Sequence, residues 1–110
     1  NNVARAVALA RGTSTIENAR LFALLNIAHH DGLQTSFASK YQYGLWRPVT
    51  AIRRADEDGN PNTAPDANWS SLVGAPPYPS YAGNMATIGA SQATVFSLFF
   101  GRDDVPFQHT

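Results

Sequence analysis

Residues 14–43 read STIENARLFALLNIAHHDGLQTSFASKYQY, and the fold class turns on whether this stretch forms one helix. It opens on a capping box. In Ser14-Thr15-Ile16-Glu17 the serine hydroxyl and the glutamate carboxylate can satisfy amides that a first helical turn leaves unpaired. Behind it Leu21, Leu24, Leu25, Ala28 and Leu33 recur at near-helical intervals, which predicts a helix from Ser14 to about Tyr43. Gly32 and Gly44 both weaken its far end.

Upstream, the alanine-rich residues 3–11 predict a short helix closed by Gly12, a residue that tolerates the left-handed C-terminal position. Downstream, Pro48 disfavours helical angles at Arg47 but is itself a good first helical residue, so residues 48–54 predict a helix entered through Arg47. Residues 56–81 are dense in Pro, Gly, Asn and Asp and predict a long loop. Its Trp69, Leu72, Val73, Tyr78 and Tyr81 supply anchoring surface, so the loop is expected to be ordered. Residues 82–100 predict a buried helix in which Ala86, Gly89, Ala90 and Ala93, spaced by three and four, let a neighbouring helix come close; Gly101 ends it. The expected class is all-α: a helical bundle of three or four helices with one long loop.

The chain has 110 residues, 8 basic and 8 acidic side chains, three histidines and no cysteine. That length allows one domain at most, or a piece of one. Without cysteine there is no disulfide framework, iron–sulfur cluster or thiolate zinc site. Zero formal charge argues against a nucleic-acid or polybasic membrane binder. No stretch approaches the roughly 20 continuous apolar residues that span a bilayer. The charged fraction of 15% lies well below the usual value of roughly 25%. Some of so uncharged a surface is therefore expected to meet something else, either a partner subunit in a homo-oligomer or further sequence. The only methionine is Met85, and the chain stops at Gln108-His109-Thr110, straight after the apolar Val105-Pro106-Phe107. Both ends are expected to be cuts, leaving residues 1–110 as a single partial domain.

Lys40 and Arg47 are seven residues apart, about two helical turns, so on a helix they would lie within roughly 20° on one face. Arg47 also stands where the Pro48 helix begins, beside unpaired amides and a partial positive charge. Two cations at a helix end make a candidate oxyanion site. The ordinary alternative is a solvated Lys40 and an Arg47 that caps some carbonyl.

Lys40-Tyr41-Gln42-Tyr43-Gly44-Leu45-Trp46-Arg47-Pro48, running on into Val49-Thr50-Ala51-Ile52-Arg53, resembles the first signature of the vanadium-dependent haloperoxidases and the related type 2 phosphatidic acid phosphatases. Trp before Arg-Pro and Thr-Ala-Ile-Arg after it resemble the soluble bacterial haloperoxidase branch in particular. Pro76-Pro77-Tyr78-Pro79-Ser80-Tyr81 similarly resembles the run that leads into the second signature. The resemblance implies a helical fold of the haloperoxidase and acid phosphatase type. It also implies that Lys40 and Arg47 supply two cations to bound vanadate, or to phosphate.

The second signature departs from the family. Its pattern is Pro-Ser-Gly-His, and aligning on the preceding Tyr81 places Ala82, Gly83, Asn84 and Met85 at those positions. Met85 cannot transfer a proton as the family's acid–base His does, and Gly83 offers only its amide. A helix N-terminus at Gly83-Asn84 could still bind an oxyanion through amides, with Asn84 donating a hydrogen bond. A register that puts Pro79-Ser80 on the Pro-Ser pair leaves no His at the required place. The third signature, an Arg and a His that attaches covalently to vanadium or phosphorus, is expected downstream of Thr110. His109 lacks that context and is read as exposed.

Three weaker signals carry less. His29-His30-Asp31 suggests a metal site, but adjacent helical side chains point about 100° apart and converge poorly on one ion, so Asp31 is read as part of a buried polar network on the helix face and no metal ligands are assigned. Asp56-Glu57-Asp58-Gly59-Asn60 has Pro61 where a calcium loop needs Gly and reads as a turn. Asn68-Trp69-Ser70 is a glycosylation sequon of a kind common by chance.

The leading expectation is a haloperoxidase-like protein that binds vanadate and takes hydrogen peroxide and halide. One alternative is a phosphatase acting on a phosphomonoester through the same anion pocket. Another is a non-catalytic oxyanion-binding scaffold that lacks the acid–base His. A metal-dependent phosphohydrolase using His30 and Asp31 is a further reading.

Overall fold

The capping box forms as its residues dictate. The Ser14 amide donates to Glu17 Oε2 at 2.8 Å, the Glu17 amide donates to Ser14 Oγ at 3.3 Å, and the serine hydroxyl donates to the same carboxylate at 2.7 Å. In the computed structural model, which describes residues 2–107, it starts the second of four helices: α1 (Asn2–Arg11), α2 (Thr15–Tyr43), α3 (Pro48–Arg53) and α4 (Asn84–Phe100). A single 3-10 turn covers Ala55–Glu57. Every regular element among the described residues is helical, so the class is all-α. His109 lies outside the described residues.

The chain divides into two compact units, one of residues 36–83 and one combining residues up to 35 with those from 84 on. In the latter, Ala4, Leu21 and Leu25 are buried, and Phe22, Val95, Phe96, Phe99 and Phe100 pack against them. Burying a leucine of this kind contributes about 1.5–3 kcal/mol. Of the predicted α2 face, Leu21 and Leu25 are inside, while Leu24 is 38% exposed. α2 runs straight through Gly32, because the missing side chain is where α4 comes close. A Cβ there would lie 3.1 Å from Ser91 Oγ and 3.6 Å from the Thr87 carbonyl.

That contact corrects the prediction for α4. The helix starts at Asn84 rather than Ala82, and none of its residues is fully buried. Ala86, Gly89, Ala90 and Ala93 are exposed. The larger side chains of the same helix, Val95, Phe96, Phe99 and Phe100, take the contacts instead.

In the unit of residues 36–83, α2 ends at Gly44, whose φ of +58° suits a residue without a side chain and whose amide donates to the Lys40 carbonyl at 2.9 Å. Arg47 is then extended, with φ −75° and ψ 156°, as a residue before proline should be, and α3 starts at Pro48. α3 ends one residue before the predicted Arg54. The long loop is tied to these elements by two backbone hydrogen bonds, Ser80 N to Leu45 O at 2.9 Å and Asp66 N to Ile52 O at 3.0 Å, and by the Arg53 side chain, whose Nε donates to Trp69 O at 2.8 Å. Trp69 and Tyr78 are half-buried and do anchor it. Leu72 and Val73 do not: they are 104% and 77% exposed. Asp58 makes the predicted turn, accepting from the Asn60 amide at 2.7 Å and the Thr63 hydroxyl at 2.9 Å.

Candidate oxyanion-binding site

Lys40 sits in the last turn of α2 and is only 2% exposed, although lysine is almost never buried without a partner. Its Nζ donates to the carbonyls of Pro79 and Ser80, both at 3.1 Å. Arg47 donates through Nε to the Tyr78 carbonyl at 2.7 Å and through Nη2 to the Pro79 carbonyl at 3.5 Å. The two charged ends thus share the Pro79 oxygen. Both also lie against the Tyr78 ring, with Lys40 Nζ 5.3 Å and Arg47 Cζ 5.0 Å from its centre.

The cations meet, but not as two turns of one helix. α2 stops at Tyr43, the chain reverses at Gly44, and Arg47 enters from the start of α3. The ordinary alternative is half right. Arg47 does cap a carbonyl, whereas Lys40 is buried rather than solvated. Among the described residues the ion pairs are Arg54–Glu57 and Arg102–Asp104, so neither Lys40 nor Arg47 meets a carboxylate. Desolvation first, and the nearby Arg47 charge second, hold the Lys40 ammonium below the ordinary lysine pKa. A lysine has three N–H donors and an arginine five, and the four hydrogen bonds above leave about half of them for another acceptor. Beside Arg47 opens a groove of about 410 Å³ lined by Trp46, Val49, Thr50, Pro76, Pro77 and Tyr78 among others. Two confined cations, unused donors and no acid form an arrangement that an anion would relieve.

The other predicted site residues stand as follows. Gly83 is exposed and closes the unit of residues 36–83; Asn84 opens α4 and is half-buried. Met85 is 83% exposed, and Asp31 is exposed rather than part of the buried network expected of it. His29 Nδ1 lies 3.3 Å from Gln92 Nε2, and no cluster of three or more metal-ligating side chains occurs among the described residues. Among the described residues no helix is long and apolar enough to cross a membrane. What the sequence did not reveal is that Tyr78, expected as an anchor and as part of the Pro76–Tyr81 run, lies against both cations. Its place in a proline–aromatic run beside the second signature was the available signal.

Residues 20–110 match the family model described as the VCPO second helical-bundle domain. The chain belongs to this family. Vanadium chloroperoxidase of Curvularia inaequalis is 29% identical to this VCPO-type chain over 103 residues, an alignment that covers 80% of the chain and 16% of that protein. The chain therefore spans about a sixth of that relative's length. No solved structure gives a significant match.

Proposed function

We propose that this VCPO-type chain binds a tetrahedral oxyanion, vanadate or phosphate, through Lys40 and Arg47 as part of a haloperoxidase-like protein. The observation that carries the reading is the convergence of the two charged ends on the Pro79 carbonyl, with no carboxylate among the described residues paired to either. Their fit to such an ion rests on the donors left over after the carbonyls are satisfied. When bound, vanadate would supply the activation of hydrogen peroxide for halide oxidation. Lys40 and Arg47 would hold its oxygens and draw off negative charge, as preorganised donors do most effectively where water is scarce. The Gly83 amide is proposed as a further donor. None of these groups moves a proton, and Met85 has none to give.

A second reading keeps the anion pocket and drops the chemistry. The thioether at the acid–base position favours a relative that binds an oxyanion without turning over, and a phosphatase would face the same deficit. All three readings need the anion pocket, so binding is tested first. In the full-length protein Lys40→Ala and Arg47→Ala are each expected to weaken orthovanadate or phosphate at least tenfold, given about 1.5–3 kcal/mol for a hydrogen bond to a charged group. Titration calorimetry showing wild-type affinity in both variants would remove the cation pair from the site.

A further inference from the structure

We infer that Tyr78 is a positioning residue whose ring holds Lys40 and Arg47 together as one anion-binding unit, an inference that rests on the oxyanion reading above. Two like charges sharing one carbonyl repel each other, and no acid among the described residues offsets them. The face of an aromatic ring carries negative potential and attracts cations within about 6 Å of its centre. Both charged ends lie inside that range, at 5.3 Å for Lys40 Nζ and 5.0 Å for Arg47 Cζ.

The ring is itself held. It packs edge-on against Phe37 at 5.2 Å, and Phe37 stacks with Tyr41 at 6.4 Å, so the aromatic support comes from the same helical segment that carries Lys40. The hydrogen bonds at Tyr78 run through its backbone: the amide donates to the Pro76 carbonyl at 2.9 Å, and the carbonyl accepts from Arg47 at 2.7 Å. The phenol is therefore dispensable to the clamp and the π face is not. Lysine and arginine lose much rotamer freedom when fixed. A ring that fixes them beforehand lets an arriving anion bind without that ordering cost.

The test titrates orthovanadate into the full-length protein with Tyr, Phe, Leu or pentafluorophenylalanine at position 78. Tyr78→Phe keeps the ring face and is expected to bind within about twofold of wild type. Tyr78→Leu, and the fluorinated ring that keeps the size but reverses the potential of its face, are expected to bind roughly tenfold more weakly. Equal affinity for the phenyl and pentafluorophenyl rings overturns the clamp, and that comparison decides even where Tyr78→Leu fails to fold. Lys40→Ala, titrated in parallel, separates the two ideas. If it leaves affinity unchanged, the oxyanion reading falls and the clamp with it; if it weakens binding while the fluorinated ring does not, only the clamp falls.

Discussion

Lys40 is the sole lysine of the 110 residues, and it is buried. Its ammonium is held below the ordinary value of 10.5, first by desolvation and then by Arg47. The sign of the resulting pH dependence follows. In the alkaline window below 10.5 the unfolded chain still holds a proton that the folded chain releases, so folding stability rises with pH there. Urea unfolding of wild type and of Lys40→Met between about pH 8 and 10 is expected to show a stability difference that moves in favour of wild type as pH rises. A constant difference across that range would mean that Lys40 titrates as a free lysine. The residue types and the seven-residue spacing were legible in the sequence, but the route by which the charges meet was not. Helical periodicity put Lys40 and Arg47 on one face, yet the left-handed turn at Gly44 and the extended Arg47 bring them together instead. A local rule, the one at proline, did foresee the conformation of Arg47.

At the scale of elements, signals confined to a few neighbouring residues were reliable. The Ser14–Glu17 box, the glycine stop at Gly44 and the Pro48 start all stand where local chemistry placed them. Packing partners were less readable, because periodicity tells which residues share a face but not what lies opposite. Gly32 reads as a weak point in α2 and is instead the place where Ser91 of α4 fits. In an isolated helix Gly32→Ala should stabilise by about 0.8–1 kcal/mol. Here the new methyl would meet the Ser91 hydroxyl, which is held to the Ile88 carbonyl at 2.9 Å. Gly32→Ala alone is thus expected to gain nothing or to destabilise, and in a Ser91→Ala background to stabilise by roughly 0.5–1 kcal/mol. Thermal unfolding of the four proteins of this double-mutant cycle checks it, and additive effects would show that the helices do not touch there.

For the molecule as a whole, the all-α class and the family could be read directly, whereas the balance between binding and turnover cannot come from the cations alone. Oxyanion binding asks for fixed positive charge, the role proposed for Lys40 and Arg47; halide oxidation and phosphoryl transfer ask in addition for a group that exchanges protons. Met85, which the resemblance aligns with that group, is 83% exposed, so an imidazole can replace it without repacking a core. General acid–base groups contribute about 100-fold to 10,000-fold when positioned. With orthovanadate present, Met85→His in the full-length protein is expected to raise bromide oxidation by hydrogen peroxide at least tenfold, while Met85→Ala leaves the rate unchanged. Phosphomonoester hydrolysis, assayed on the same samples without vanadate, distinguishes a phosphatase from a haloperoxidase lineage. A wild-type rate already equal to that of Met85→His would mean that protons move through a residue elsewhere and that position 85 lies off the reaction path. If bromide oxidation and hydrolysis stay silent in both proteins while orthovanadate still binds through Lys40 and Arg47, the chain keeps the anion pocket of its family without the reaction.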